Sequence, residues 1–190
     1  MRNRHLIAVV AAAFILNGCV SLSTPDLEQS WQGRFSASAT FQGKQENHSG
    51  RFNLTHSEAQ QTTILDLKSA LGNTIARVQQ TPDQATLNAV GSQTITAHNA
   101  ESLLLQTVGF SVPVQGLQYW INGETVPGMI AKTQPQSRPY QKIEQNGWLI
   151  QYESYDNNGL PKRIRLQRRS TDTTPALSIV LLISERTYEP

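Results

Sequence analysis

The fold is decided by three neighbouring stretches of alternating apolar and polar residues, which are 34–41 (RFSASATF), 50–55 (GRFNLT) and 62–67 (TTILDL). Side chains change face at every residue of a β-strand, so this alternation predicts strands with one apolar face and one face in water. The connections between the stretches are short, which favours antiparallel pairing of consecutive strands. This part of the chain is therefore predicted to be an antiparallel meander.

The alternation continues on both sides of a short helical region. Further strands are predicted at 75–78, 85–90, 93–96, 129–133, 140–145, 148–152, 163–166 and 176–183. Between these two blocks, residues 99–109 begin with a capping asparagine and end with glycine, which indicates a helix, and residues 114–122 are predicted to form a second one.

A sheet of about ten or eleven strands has to curl in order to bury its apolar face. We therefore predict a mainly β fold, an unclosed antiparallel β-barrel of about eleven strands with a small helical lid around an apolar cavity. A collapsed core without a cavity is the alternative, and the periodicity of the sequence does not distinguish the two.

The N-terminus has the layout of a bacterial lipoprotein precursor. Arg2 and Arg4 precede an apolar run at 6–16, which is too short to span a bilayer, since spanning takes about 20 residues. Cys19, the only cysteine of the chain, follows at the end of this run. The sequence LNGC at 16–19 resembles the lipobox of bacterial lipoproteins, although this chain has asparagine where the family prefers a small residue.

This resemblance implies a signal peptide at 1–18 and a lipidated tether at 19–28. The strands and the apolar cavity predicted above make 29–190 a single lipid-binding β-barrel domain. Three acyl chains on Cys19 would hold the protein firmly at a membrane, whereas one chain binds only reversibly. In the sorting rule of enterobacterial lipoproteins, aspartate after the cysteine retains the protein in the inner membrane. This chain has Val20 at that position, so the resemblance implies anchoring at the periplasmic face of the outer membrane.

Composition narrows the classes of function. Removing 1–18 takes away two of the 16 basic residues and none of the 14 acidic ones, so the mature chain has no net charge and nucleic-acid binding is not expected. His48, His56 and His98 lack the spacing of metal ligands, and the chain has no nucleophile elbow or phosphate-binding glycine loop. We predict no metal, no cofactor and no enzymatic activity.

The connection at 68–74 (KSALGNT) has turn-forming residues on both sides of Leu71. One interpretation is that this leucine folds back onto the core. The other is an exposed apolar tip, which forfeits burial worth about 1.5–3 kcal/mol and is therefore expected only where the tip contacts lipid or a partner.

Three stretches resemble the LolB family of outer-membrane lipoprotein receptors. They are 65–74 (LDLKSALGNT), 107–123 (TVGFSVPVQGLQYWING) and 148–156 (WLIQYESYD). The second is the most specific, because glycine, proline and tryptophan recur in it at fixed spacing. The similarity extends from the lipobox to the C-terminal strands.

The resemblance implies a receptor that takes the acyl chains of triacylated lipoproteins from the periplasmic carrier LolA and inserts the lipoproteins into the outer membrane. By position in the motif, Leu71 and Gly72 form the membrane-delivery loop, and outer-membrane phospholipid is a further partner. A monomer is expected. A non-transport envelope lipoprotein acting as a scaffold, and a lipid-modifying enzyme, are the competing interpretations.

The candidates for the cavity wall are apolar residues of the predicted strands and helices. They are Phe35, Phe52, Leu54, Ile64, Leu65, Ile75, Leu103, Leu104, Trp120, Met129, Ile143, Trp148, Ile150 and Tyr152. The sequence does not indicate which basic residues, Arg163 or Arg165 for example, would face the carrier.

Overall fold

The computed structural model describes residues 27–189 apart from 42, 92, 109, 135–139 and 173. Cys19, the predicted signal peptide and most of the predicted tether lie outside these residues, so processing and anchoring stay predictions. None of the helices that the structure describes is long and apolar enough to cross a membrane.

Eleven strands and two short helices make up the described part of the chain. The strands are β1 (Glu28–Phe41), β2 (Lys44–Ser57), β3 (Thr62–Lys68), β4 (Thr74–Gln80), β5 (Ala85–Ala89), β6 (Ile95–Ala97), β7 (Ala131–Gln134), β8 (Lys142–Gln145), β9 (Trp148–Tyr155), β10 (Pro161–Arg168) and β11 (Ala176–Glu189). The helices α1 (Ala100–Val108) and α2 (Val114–Trp120) lie between β6 and β7. The side chain of Asn99 caps α1, since its Oδ1 accepts a hydrogen bond from the Ser102 amide at 3.0 Å.

All eleven strands belong to one antiparallel sheet, in the order β6-β5-β4-β3-β2-β1-β11-β10-β9-β8-β7. The first and last strands, β1 and β11, pair at its centre. Since β6 and β7 are the two edges of the sheet, the barrel is unclosed. The predicted fold class, a mainly β, open antiparallel sheet with two short helices, is confirmed.

Three strands, β1, β2 and β11, are longer than predicted, with 14 residues each. Residues 44–49 of β2 are polar and mostly exposed, so no alternation marks them as a strand. In β1 the register with β11 shifts between Gln32 and Gly33. A Cβ at Gly33 would overlap the carbonyl oxygen of Leu182, so only glycine fits at this bulge.

The sheet curls around α2. Thr63 of β3 donates a hydrogen bond to the side chain of Gln118 at 3.0 Å, and Tyr152 of β9 donates one to the carbonyl oxygen of Trp120 at 2.8 Å. The strands β3 and β9 lie on opposite sides of the central β1–β11 pair, so one helix can contact both only if the sheet is strongly curved. The core lies between the concave face of this sheet and the two helices.

Candidate functional site

The concave face is apolar because apolar residues on neighbouring strands pair with each other at the inward positions. One row of paired residues crosses β1 to β5, and a second crosses β11 to β8. The first consists of Trp31, Leu54, Leu65, Val78 and Leu87, and the second of Ile179, Leu166, Ile150 and Ile143. All nine side chains are buried, so the two wings of the sheet form one continuous apolar surface.

A helical lid, which we define as residues 100–121, covers this surface. Its buried apolar side chains come from α1, from the segment that joins the helices, and from α2 and the residue after it. They include Leu103, Leu104, Phe110, Val112, Leu117, Trp120 and Ile121. The lid and the sheet therefore meet through apolar contacts.

Between the sheet and the lid lies a cavity of about 20 Å³, and every residue that lines it is apolar. The lining consists of Phe35, Phe52, Leu54, Leu65, Leu67, Phe110, Val112, Leu117, Ile121, Ile179 and Leu181. A cavity of this size holds about one water molecule, whereas an engineered apolar cavity that binds benzene measures about 150 Å³. The free space of this apolar cavity is therefore too small for an acyl chain, because the lid side chains occupy most of the interior.

A second cavity, of about 80 Å³, lies where the two helices begin. Its lining includes Glu101 of α1, Val114 and Trp120 of α2, and Met129 and Asn146. Met129 is 51% exposed, so it stands at the rim of this cavity rather than in the core.

Eleven of the predicted cavity residues are buried in the core between sheet and lid. They are Phe35, Phe52, Leu54, Leu65, Leu103, Leu104, Trp120, Ile143, Trp148, Ile150 and Tyr152. Four of them, Phe35, Phe52, Leu54 and Leu65, line the 20 Å³ cavity directly. Whether they contact a ligand stays a prediction.

Two predicted cavity residues face the wrong way. Ile64 precedes the inward-facing Leu65, and adjacent side chains of a strand point to opposite faces, so Ile64 lies on the outer face of β3. Ile75 precedes the buried Ala76 in β4, and it is 44% exposed on the outer face. The structure corrects both assignments, because register and not apolar character decides the face.

Phe110 and Val112 were missed by the sequence analysis. They belong to neither a strand nor a helix, so no periodicity marks them, but they lie within the 107–123 stretch that carries the most specific resemblance. Phe110 is 2% exposed, and its ring centroid lies 6.4 Å from that of Phe35 and 5.3 Å from that of His48. Their apolar character in the connection between two predicted lid helices could have indicated that they face the sheet.

The two ends of the lid are attached differently. Around α2, Trp31 donates to Asn122 at 3.1 Å and Trp120 donates to Gln145 at 3.0 Å, in addition to the bonds from Thr63 and Tyr152. Within the described chain, one hydrogen bond joins α1 to the sheet, from the Ala100 amide to the side chain of Gln80 at 2.8 Å. Beyond this bond, α1 packs against β4, β5 and β6 and interacts electrostatically with Arg168 of β10, so packing and charge rather than hydrogen bonds attach it.

Two charged groups lie at the boundary between lid and sheet. Burial raises the pKa of the Glu101 carboxyl in α1, and the positive charge of Arg168 partly offsets this effect. Burial also lowers the pKa of the Arg168 guanidinium, which the Glu101 charge opposes. The guanidinium carbon of Arg168 lies 5.0 Å from the ring centroid of Trp148.

Arg163 and Arg165 point away from the interior, because the residue between them, Ile164, faces inward. Both donate hydrogen bonds to Glu153 at 2.6 Å, and these bonds hold the pKa of that carboxyl below its usual range. The two arginines are thus part of an ion-pair cluster on the outer face.

The predicted delivery loop connects β3 and β4. Its backbone closes through hydrogen bonds from the Ser69 amide to the Asn73 carbonyl at 2.8 Å and from the Gly72 amide to the Ser69 carbonyl at 2.9 Å. Gly72 has φ 94°, a conformation that glycine adopts without strain. Leu71 is 90% exposed. The alternative in which this leucine folds back onto the core is therefore wrong.

A second apolar tip stands beside this loop. Val90, in the connection between β5 and β6, is 77% exposed, and its amide donates to the carbonyl oxygen of Ile75 at 3.3 Å. Ile75 follows the Leu71 loop at the start of β4. The two connections are therefore neighbours at one end of the sheet, and each ends in an exposed apolar side chain.

No cluster of three or more His, Cys, Asp or Glu side chains that could hold a metal occurs among the described residues. The absence of a cofactor and of enzymatic activity stays a prediction.

Known proteins similar to this chain were found by family and by sequence. The family model described as outer membrane lipoprotein LolB matches residues 28–185. This range contains β1 to β10, most of β11 and the whole lid. A relative from Cupriavidus necator, named outer-membrane lipoprotein LolB, is 31% identical over 198 aligned positions that cover 98% of each chain. A relative from Bordetella pertussis with the same name is 31% identical and covers 87% of this chain and 85% of its own.

Among solved structures, a LolA superfamily protein from Nitrosomonas europaea is similar, with a TM-score of 0.49 and 12% identity over 85% of this chain and 86% of that one. The family match extends over most of the chain, and the two relatives named above cover 98% and 87% of it. The chain therefore belongs to the LolB family of outer-membrane lipoproteins.

Proposed function

We propose that this chain is an outer-membrane lipoprotein receptor, which takes lipoproteins from the carrier LolA by their acyl chains and inserts them into the outer membrane. The observation that carries the proposal is a cavity lined only by apolar side chains between the curved sheet and the helical lid. Acyl chains cost about 0.8 kcal/mol per CH₂ in water, so their transfer needs such a shelter at each step. Membership of the LolB family supports the same function.

Binding of acyl chains requires the lid to move, because the closed interior has only about 20 Å³ of free space. We infer that α1 and the segment containing Phe110 swing away while the C-terminal end of α2 stays attached. The hydrogen bonds around α2 support this division, since they join it to β1, β3, β8 and β9, whereas one such bond joins α1 to the sheet among the residues described. The acyl chains would then replace the lid side chains against the sheet.

Delivery is proposed to use Leu71, which is exposed at a tip closed by backbone hydrogen bonds. The energy lost by keeping it in water is regained when the side chain enters hydrocarbon. Anchoring through Cys19 would hold the tip near the inner leaflet. A monomer suffices for this mechanism, because the sheet and the lid of the interior come from one chain.

A row of cations at the base of the loop supports phospholipid as a partner. Lys68 pairs with Arg51, which pairs with Arg34, so three positive side chains stand directly opposite each other on the outer face. Like charges in this arrangement destabilise a sheet. Among the described residues none of the three has an acidic partner, and lipid phosphates would compensate them.

Transfer of a fluorescent lipoprotein from LolA tests the proposal, with the mature protein carrying Cys19→Ala as acceptor and outer-membrane lipid vesicles as destination. We expect transfer to the acceptor without nucleotide. Leu71→Glu should accept cargo normally and fail to deliver it. Asn73→Glu, which adds the same charge to the same loop and keeps the apolar tip, should deliver.

Two outcomes would contradict the proposal at different points. Unimpaired delivery by Leu71→Glu would leave Leu71 an ordinary turn residue. Failure of the acceptor to take up cargo would contradict transport itself and would favour a filled sheet that serves as an envelope scaffold.

A further inference from the structure

Arg168 is a charged residue in an apolar row. It ends β10, where Ile164 and Leu166 are buried on the inward face, and the strand period places Arg168 on that same face. Its register partner on β9 is Trp148, whose ring lies beneath the guanidinium at 5.0 Å. The following residue, Arg169, is exposed. Arg168 therefore marks the rim where the apolar interior ends.

Two donors of this guanidinium lack partners. The Nε and Nη2 atoms are both buried, and neither has a hydrogen-bond acceptor within the described residues. A buried donor without a partner is unfavourable, and the penalty is larger for a charged group. These two N–H groups form one edge of the planar guanidinium, which presents a fork to two acceptor oxygens or to one shared oxygen.

Arg168 does not line the 80 Å³ cavity at the start of the helices, but two residues of its surroundings do. Glu101 lines that cavity and interacts electrostatically with Arg168. Trp120 lines it too, and its ring centroid lies 6.3 Å from that of Trp148. Because it interacts with Glu101 of the lid and stacks on Trp148 of the sheet, Arg168 lies at the boundary between the lid and the sheet.

We propose that Arg168 binds the carbonyl oxygens that link acyl chains to the head of a lipidated N-terminus, while the chains themselves occupy the apolar interior. This inference rests on the proposed function. An acyl chain sheltered inside the protein ends in a polar ester or amide, and this group needs a donor at the point where it enters the apolar region. The two unpartnered N–H groups lie where the apolar row of β10 ends, which is where such a donor would be needed.

The neighbouring carboxylate favours a neutral acceptor over an anion. The negative charge of Glu101 favours the charged form of Arg168, since it opposes the lowering of the Arg168 pKa by burial. A free fatty acid would bring a second carboxylate next to Glu101, and the two would repel each other. An ester carbonyl accepts the same hydrogen bonds without this repulsion.

The test compares ligands with and without oxygen. In the mature protein with Cys19→Ala, displacement of a hydrophobic fluorescent dye is measured with 1,2-dioctanoylglycerol, with hexadecane and with oleate. Arg168→Met retains an unbranched side chain that can pack on Trp148. We expect it to weaken dioctanoylglycerol binding about tenfold, equivalent to about 1.4 kcal/mol, and to leave hexadecane binding unchanged.

Two further variants make the result specific. Arg169→Met removes the same charge from the exposed neighbouring position and should change neither affinity. Arg168→Lys keeps the charge but loses the planar fork, so it should also weaken dioctanoylglycerol binding, and it serves if the methionine variant does not fold.

The outcomes separate this inference from the proposed function. If the Arg168 variants lose the same affinity for dioctanoylglycerol as for hexadecane, or keep full affinity for both, the inference that Arg168 binds carbonyl oxygens is wrong. The proposal that the interior binds lipid would be unaffected by either result. Tighter binding of oleate that depends on Arg168 would identify an anion site and overturn the proposed ligand class. If the wild-type interior takes up neither dioctanoylglycerol nor hexadecane, the proposed function fails and this inference fails with it.

Discussion

Replacing Phe110 by alanine should make the protein less stable and a better binder of hydrocarbon. The ring is 2% exposed, lies near the rings of Phe35 and His48, and lines the small apolar cavity between lid and sheet. It therefore occupies space that an acyl chain would need. In the wild type, a ligand has to displace this ring before it can contact the sheet.

The two magnitudes follow from the burial of the ring. Phe→Ala in a core costs about 3–5 kcal/mol, and the contact with a neighbouring aromatic ring contributes about 0.5–1.5 kcal/mol of such a loss. The vacated space has apolar walls, so it should stay dry and available to hydrocarbon. Filling two methylene positions recovers about 1.6 kcal/mol, which corresponds to about a tenfold gain in hexadecane affinity.

Urea unfolding followed by tryptophan fluorescence measures the loss of stability, and dye displacement by hexadecane measures the affinity. Ile130→Ala is the control, because Ile130 is 93% exposed and its truncation should change stability by less than about 0.5 kcal/mol. A folded Phe110→Ala protein with unchanged or weaker hexadecane affinity would refute the reasoning, since the space beneath the lid would then not be the acyl-chain site.

Two other predictions concern the second apolar tip and the lid. Val90→Glu should lower delivery to vesicles and leave uptake from the carrier unchanged, because Val90 stands beside the Leu71 loop; full delivery would restrict the membrane contact to Leu71. The pKa of the Glu101 carboxyl is raised in the folded protein, so as the pH rises the unfolded chain loses this proton before the folded chain does. The free energy of unfolding should therefore fall as the pH rises from about 4.5 through the raised pKa. Glu101→Gln should remove this component in urea titrations over that range, and a variant with the same pH dependence as the wild type would contradict it.

Local sequence determined much of the fold. The alternation in β3 and β9 is visible without structural information, since a strand exposes side chains to two different environments at every step. Asn99 likewise marks the start of α1, because capping satisfies backbone groups within a few residues. The placement of two helices between two blocks of strands follows from such local signals.

The face of each strand was decided by tertiary structure. Leu65 and Ile64 are neighbours of the same apolar character, and only the register with β2 and β4 establishes that Leu65 faces the lid. Arg168 follows the same parity into the interior, although its side chain type indicates a surface position. The pairing of whole strands decides which face of the sheet each residue occupies. A short stretch of sequence therefore does not contain this information.

The free volume of the interior was also decided only in three dimensions. An apolar cavity and a filled core use the same residue types in the same pattern, and the difference is where Phe110 and its neighbours in the lid are placed. The sequence alone determined the alternating part of the strands, the first helix cap and the candidate anchor at Cys19, but not the polar half of β2. The closed lid and the remaining 20 Å³ depend on how side chains from many distant segments pack together, and packing is a property of the whole assembled core.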